Sequence, residues 1–375
     1  MIDSPATRMP LRLLVLAPNW LGDVVMATPL LSFLHRNKDV VRETLGRPLT
    51  LGLGVRSAWV DLFRDDHRID ELLVLERGGR HAGLGGAFRL AKSMKQGGYD
   101  AVILGPPSLR TGLAAWLSGI PCRVGYRADG RALFLNRGVT PRRRGSIHYS
   151  REMVHLGSVW LESLGLSPDN LQDEQGACSL PGCESLRPAN LGAAGPVWAV
   201  APGTTYGEAK TWPVARLAEF IQLAAKQAGA RFVFLGDAAA RGFTASLKEQ
   251  VPGDWSEDAQ GDASLIDLTG KTGLTAAVEV LKAARVFVGN DSGLMHLAAA
   301  LGVPTIGVFG SSNPDWTAPL GPQTRAVFPE GFPCRPCYRK TCNQDTFCLE
   351  TVAAGTVLAA VLDLVGDGRA MRGGV

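Results

Sequence analysis

The sequence predicts an α/β protein of two tandem domains, each a parallel sheet covered by helices. Three observations predict it. Apolar runs of strand length alternate with longer amphipathic stretches from Leu11 to about Leu166, the alternation stops over 167–196, and it restarts at Val197. Strands alternating with helix-length patterns imply crossover connections, and hence strands that run parallel and are buried on both faces. The length of 375 residues suits about two domains.

In the first array, Leu11–Ala17 reads as a buried strand and Val24–His35 as a helix. Leu49–Val55 and Leu72–Leu75 read as strands, Ala87–Gln96 as a helix, Ala101–Leu104 as a strand and Leu109–Ser118 as a helix. The stretch SPDNLQDEQGACSLPGCESLRPANLGAAGP then breaks the pattern. It is polar, rich in Pro, Gly, Asn and Asp, and without periodicity, which suits an inter-domain linker with some surface loop. In the second array Val197–Ala201, Phe232–Leu235, Val286–Val288 and Thr305–Phe309 read as strands. Val214–Gln227, Ala240–Lys248, Leu274–Ala284 and Leu294–Leu301 read as helices, and a final apolar helix runs from about Thr351 to Val365. The expected organisation is therefore a domain over 1–170, a linker over 171–196, a domain over 197–350, and a C-terminal helix and tail over 351–375. Ligands of open α/β sheets sit beyond the carboxyl ends of the strands, so the expected site is a cleft between those ends of the two domains.

Composition narrows the function class. Hydrophobic residues at 46% and charged residues at 20% supply two sizeable cores. The first apolar run is too short for a signal-peptide core, and nowhere do eighteen apolar residues follow one another. A cytoplasmic protein without a membrane span is expected. Seven cysteines in a chain this long do not suggest a disulfide scaffold. The net charge of +4 is mild, but eight arginines and one acid, Asp129, lie between Arg123 and Arg151. Such a patch suits an anionic partner, whether nucleic acid, membrane surface or phosphorylated substrate, and equally suits a solvated basic face.

Three motifs carry chemistry. APNWLGDVVMATPLL, from Ala17, ends a strand, turns through Asn19–Gly22 and starts a helix near Asp23. That places Asp23 at a strand's carboxyl edge beside a glycine that permits close backbone approach. Asp is also among the best helix N-caps, so the motif alone leaves capping open. VAPGTTYGEAKTWP, from Val200, puts Thr204 and Thr205 after a strand, with Lys210 in the same loop. Hydroxyls, backbone N–H groups and one flexible cation suit a leaving pyrophosphate. FVGNDSGLMHLAAALGVPTIGVFG, from Phe287, ends a strand, turns through Gly289–Gly293 and opens a helix near Ser292, with His296 one turn inside. Free N–H groups and the positive dipole end make that helix start an anion site. No GxGxxG follows the first strand and no P-loop sequence occurs, so the signatures of dinucleotide-dependent dehydrogenases and P-loop NTPases are missing.

These motifs resemble the lipopolysaccharide heptosyltransferases, over roughly Leu11 to Leu349. The first two motifs and the cysteine-rich tail look more like the heptosyltransferase II branch. The resemblance implies the GT-B fold of two Rossmann-like domains. It implies an inverting transfer of L-glycero-D-manno-heptose from ADP-heptose to the first heptose of the inner core, built on Kdo and lipid A. It implies Asp23 as the base, Lys210 as a catalytic cation, and Thr204, Thr205, Asp291, Ser292, Gly293 and His296 around the donor. Asp237 stands where the family's ribose-binding glutamate is expected, and Lys271 and Thr272 are placed near adenine. Asn19, Gly22, Arg123, Tyr126 and Arg127 are placed toward the phosphorylated acceptor. No metal or other cofactor is expected for the transfer, peripheral contact with the cytoplasmic face of the inner membrane is expected, and nucleic acid is not expected as a partner.

Cys334, Cys337, Cys342 and Cys348 follow one another at short intervals. A Cys-x-x-Cys start with two further thiols resembles a compact metal clip, though the intervals are short for a zinc ribbon, and a packed reduced loop is the alternative. Three functional alternatives remain open from the sequence, the first two being a heptosyltransferase acting on Kdo or on a later heptose, and a sugar-nucleotide epimerase on the same architecture. A non-catalytic nucleic-acid binder using the arginine patch is the third.

Overall fold

The computed structural model describes residues 9–76, 85–167, 171, 178–192, 195–260 and 262–371, with side chains to 366. The chain divides into two compact units. The first takes in Met1–Gly176 with Leu180–Gly182, and the second Ala177–Ser179 with Cys183–Val375.

The first unit is a six-stranded parallel sheet built from β1 (Leu11–Leu16), β2 (Leu49–Arg56), β3 (Glu71–Leu75), β4 (Ala101–Leu104), β5 (Cys122–Tyr126) and β6 (Arg137–Val139). Its order is β3-β2-β1-β4-β5-β6, so the first strand in sequence lies inside the sheet. In β1, LRLLVL, every residue but Arg12 is buried, the near-continuous apolar run that a strand covered on both faces requires. The covering helices are α1 (Leu21–Met26), α2 (Thr28–Arg36), α3 (Lys38–Leu45), α4 (Gly86–Gln96), α5 (Leu109–Leu117) and α6 (Tyr149–Glu162).

The single helix expected over Val24–His35 is two helices, and Pro29 explains the break. Proline has no N–H to donate to the carbonyl four residues earlier. The Val25 carbonyl instead accepts from the Thr28 hydroxyl at 2.8 Å, and Ala27 closes α1 and opens α2. The sequence reading missed β5, β6 and α6. In α6, Met153, Val154, Leu156, Trp160 and Leu161 are buried along one face. Gly157 lets that face meet α2, since a Cβ there would stand 2.7 Å from Leu30 Cδ1.

The second unit is a seven-stranded parallel sheet. Its strands are β7 (Val197–Ala201), β8 (Arg231–Phe234), β9 (Trp255–Ser256), β10 (Leu265–Asp267), β11 (Val286–Asn290), β12 (Thr305–Val308) and β13 (Thr324–Val327). They run in the order β13-β12-β11-β7-β8-β10-β9. Its helices are α7 (Val214–Ala228), α8 (Arg241–Gln250), α9 (Leu274–Ala283), α10 (Gly293–Ala300), α11 (Pro314–Thr317) and α12 (Ala354–Met371). Trp198, Phe220, Phe232 and Trp212 fill the core between sheet and helices, joined by Val357, Leu358 and Val361 of α12. Full burial of such side chains contributes about 1.5–3 kcal/mol each relative to exposure. Residues 183–191 are tied to this unit. The Lys282 ammonium donates to the Cys183, Glu184 and Leu186 carbonyls, and the Arg231 guanidinium donates to that of Leu191. Among the described residues, no helix is long and apolar enough to cross a membrane.

Candidate active site

In the second unit, chemistry gathers where β7 and β11, hydrogen-bonded neighbours, end. Asn290 closes β11 and ties two loops together. Its side chain accepts from Trp212 N at 2.8 Å and donates to the Pro202 carbonyl at 3.1 Å. The loop after β7 is thereby held against the loop after β11.

Lys210 ends a one-turn 3-10 helix, Glu208–Lys210, and its Nζ lies 2.6 Å from Asp291 Oδ2. The two side chains are only 16% and 5% exposed, so this is a covered ion pair. His296 Nε2 stands 3.7 Å from the other oxygen of Asp291, at ion-pair rather than hydrogen-bond separation. Burial by itself would push the Asp291 carboxyl up; His296 and Lys210 more than offset it and hold the group well below the usual carboxylate range. The Lys210 ammonium also lies 4.7 Å from the centre of the Tyr206 ring.

Asp291 leads into Ser292, the N-cap of α10, and Gly293 is that helix's first residue. Ser292 makes no side-chain cap. Its Oγ is buried without a hydrogen-bond partner among the described residues, as are His296 Nδ1 and the hydroxyls of Ser311 and Ser312 after β12. Buried polar atoms without partners each cost about 1–3 kcal/mol, and those at these two adjacent strand ends leave hydrogen-bonding capacity that a polar ligand could use.

The remaining donor candidates are more local. The Thr204 hydroxyl donates to the Gly207 carbonyl at 3.1 Å and shapes the loop, while Thr205 is exposed. Gly207 has φ 146°, and a Cβ there would stand 2.5 Å from the Lys340 carbonyl oxygen. Asp237 is the exposed cap of a 3-10 turn after β8, accepting from Ala239 N at 3.0 Å. Lys271 pairs with Glu257 at 2.5 Å, beside Thr272 in the turn before α9. Neither Asp237 nor Lys271 has a contact with the Lys210–Asp291–His296 cluster among those described.

The four-cysteine loop backs the lysine loop. Ala209 N donates to the Lys340 carbonyl at 2.9 Å, the Tyr206 hydroxyl to the Tyr338 carbonyl at 2.6 Å, and Arg335 Nε to the Gly310 carbonyl at 2.8 Å. Cys334, Cys337, Cys342 and Cys348 are reduced thiols lining one pocket with Ala209, Ser311 and Arg335. Among the described residues, no three His, Cys, Asp or Glu side chains are grouped so as to hold a metal.

In the first unit, Asp23 follows β1. The helix starts two residues earlier than the sequence suggested: Trp20 is the N-cap of α1, extended and without a side-chain cap, and Asp23 is the third helical residue. The capping position is therefore not Asp23's, although a first-turn carboxylate still favours the helix dipole. Gly22 lies in the same turn, and the Asn19 carbonyl accepts from Arg56 at 3.0 Å and from Trp59 Nε1 at 3.2 Å. Tyr149, the first residue of α6, was not singled out from the sequence. Burial pushes its phenol well up, and the nearby Asp23 carboxylate adds to that.

The acceptor arginines divide by structure. The Arg123 guanidinium is committed to its own surroundings, donating to the Phe134 carbonyl at 2.7 Å and the Ile120 carbonyl at 2.6 Å. In this structure Arg123 thus clamps the β5–β6 connection. Tyr126 donates to the Glu152 carbonyl of α6 at 2.8 Å, and burial raises its hydroxyl above the ordinary range. Arg127 is exposed. Arg131 was missed: it is fully buried, donating to the carbonyls of Tyr126, Pro106 and Leu104, and burial lowers it to about 10. An arginine inside a basic run gives no signal that it is a core residue.

The model of glycosyltransferase family 9 (heptosyltransferase) matches residues 87–347. Lipopolysaccharide heptosyltransferase 2 of Salmonella typhimurium is 28% identical over 334 residues, 84% of this chain and 88% of that protein. Among solved structures, that of Escherichia coli ADP-heptose lps heptosyltransferase II is 22% identical with a TM-score of 0.71, covering 96% of this chain and all of that one. The glycosyl transferase family 9 structure from Veillonella parvula is 21% identical with a TM-score of 0.72, covering 97% of this chain and all of that one.

Proposed function

The chain belongs to glycosyltransferase family 9 and has the GT-B fold, and on that premise we propose that it is a lipopolysaccharide heptosyltransferase of the second type. In this reading it transfers L-glycero-D-manno-heptose from ADP-heptose to the first heptose of the inner core on Kdo-lipid A, with inversion. It works in the cytoplasm, at the inner membrane's cytoplasmic face. The names of the relatives support heptose transfer in lipopolysaccharide synthesis.

The observation that carries the chemistry is the covered Lys210–Asp291–His296 cluster at the start of α10. Asp291 anchors Lys210 and attracts His296, so two basic groups are fixed beside a helix N-terminus and the unpartnered Ser292 hydroxyl. A diphosphate bound there meets Lys210, the α10 amides and the Thr204–Thr205 loop. As the sugar–phosphate bond breaks, negative charge builds on the leaving ADP, and groups already in place stabilise it without reorganising. The acceptor hydroxyl loses a proton as it attacks the anomeric carbon, and Asp23 takes it. An unperturbed Asp has a pKa of about 3.9 and is ionised near neutrality. Lys210 and the α10 amides neutralise the leaving group, so the transfer needs no metal; chelator that abolishes turnover, with magnesium restoring it, would refute that.

The test uses the whole protein with ADP-heptose and two acceptors, Kdo-lipid A and heptosyl-Kdo-lipid A. Heptose gained by the second alone is expected. Gain by Kdo-lipid A alone would move the enzyme to the first step of the core, and release of a free sugar epimer without either acceptor would replace transfer by epimerisation.

A further inference from the structure

The connection from β5 to β6 runs over α5 and leaves apolar side chains in water. Leu133, in the one-turn helix Arg131–Phe134, is 88% exposed, Trp116 of α5 51% and Leu109 50%. They form one surface. Leu109 Cδ1 would stand 3.6 Å from a Cβ at Gly130, the Trp116 and Phe134 rings are 5.9 Å apart, and a Cβ on Gly112 of α5 would meet Arg131 Cβ at 2.8 Å.

This surface does not wander. Arg131 donates its guanidinium to three carbonyls beneath, and Arg123 pins the Phe134 carbonyl. The turn is therefore a rigid presenter of Leu133 rather than a loose loop. It is flanked by exposed Arg127 and Arg137, with the exposed Arg142–Arg144 run following and Asp129 as the single acid between residues 109 and 144. Exposed apolar side chains with exposed arginines on either side in the sequence match a bilayer interface, where leucine and tryptophan enter the headgroup boundary and arginines meet anionic headgroups. A nucleic acid would use the same arginines but would leave Leu133 in water.

We propose that this surface docks the protein on an anionic lipid bilayer. It begins at Leu109, just past β4, whose end is joined to the end of β1, the strand that leads into α1 and Asp23: Gly105 N donates to the Leu16 carbonyl at 2.9 Å. Docking there would bring a lipid-borne acceptor to that edge. This last point rests on the transferase reading; the docking itself does not.

The test is co-sedimentation of the full chain with vesicles of phosphatidylcholine alone and of phosphatidylcholine mixed with phosphatidylglycerol. Binding to the mixed vesicles, weakened by salt, is expected. Leu133→Asp should lower the bound fraction roughly tenfold, since it removes apolar burial and sets a carboxylate against anionic headgroups. Leu133 is almost wholly exposed, so the variant keeps its fold and its turnover on a de-acylated, water-soluble acceptor. Arg137→Glu should weaken binding in the same direction. Equal binding of Leu133→Asp and the parent chain, absence of binding to the mixed vesicles, or retention on RNA at physiological salt without vesicle binding would each overturn the proposal. Vesicle binding by a protein that transfers heptose to no acceptor would leave the surface standing and sink the transferase reading, while transfer to the soluble acceptor without vesicle binding would do the reverse.

Discussion

At the strand ends of the second unit a lysine, an aspartate and a histidine meet under cover, with buried hydroxyls nearby that have no partner among the described residues. At the corresponding ends of the first unit the covered charge is Arg131, and its partners are the unit's own carbonyls. The first arrangement holds charge ready for something absent from the chain. The second consumes charge to fix the chain's own shape, and the carboxylate proposed as the base, Asp23, is partly exposed on a short helix. Buried charge alone is thus a poor guide to a site. What distinguishes the two is whether the hydrogen-bonding capacity around the charge is already used.

Four experiments press on that contrast. The largest effect is expected in the first unit, on turnover alone. Asp23→Asn should lower transfer by about 10²–10⁴-fold, with ADP affinity unchanged and only about 0.3–1 kcal/mol lost from stability with the first-turn charge. Near-normal turnover would return the proton to some other base. Lys210→Ala should lower transfer by about 10²–10³-fold, the usual cost of an electrostatic donor to a developing anion. Unlike Asp23→Asn it should also weaken ADP binding in calorimetry and cost roughly 2–4 kcal/mol of stability, since Asp291 stays buried with one cation fewer. Unchanged ADP affinity in both Lys210→Ala and His296→Ala would remove the donor from this place.

Arg131→Met should cost about 2–4 kcal/mol in urea unfolding by leaving buried carbonyls without donors, whereas Arg127→Ala should stay within about 0.5 kcal/mol. Similar values for the two would mean that Arg131 is not the clamp its contacts describe. The smallest effect is on pH. Asp291 is depressed in the folded chain, so its stabilising contribution is complete above the ordinary carboxylate value of about 3.9 and is lost as pH falls toward the lower folded-state value. The urea midpoint gap between the parent chain and Asp291→Asn should therefore be wide near neutrality and narrow in acid. A gap independent of pH would show that Asp291 titrates alike in both states.

The grouping of candidate side chains was more legible in the sequence for the second unit than for the first. Thr204, Lys210, Asp291 and His296 lie in two short motifs after apolar strands, and the parallel pairing of β7 with β11 brings those motifs together. What it hid was the commitment of side chains. Arg123 and Arg131 sit in a basic run that reads as solvent-exposed, yet both are bound to backbone carbonyls. β5 was missed because Arg123 interrupts its apolar pattern. The break between α1 and α2 was missed although Pro29 announces it, because apolar periodicity runs straight through. Ser311 and Ser312 lie just past the third motif, and only their burial without partners among the described residues marks them.

Each unit opens with a strand that ends up inside its sheet: β1 lies between β2 and β4, and β7 between β8 and β11. During synthesis each such strand emerges before either neighbour exists, and its parallel partners arrive only after a crossover of a dozen or more residues. The segments LRLLVL and VWAVA are therefore the stretches that must wait longest with both edges bare. Either can take its next strand on one side and keep the other open for a later arrival, so the sheets grow outward from a seed laid down first. A ribosome that pauses after β1, or a chain shortened into β1, exposes or removes the strip on which the rest of the first sheet is assembled.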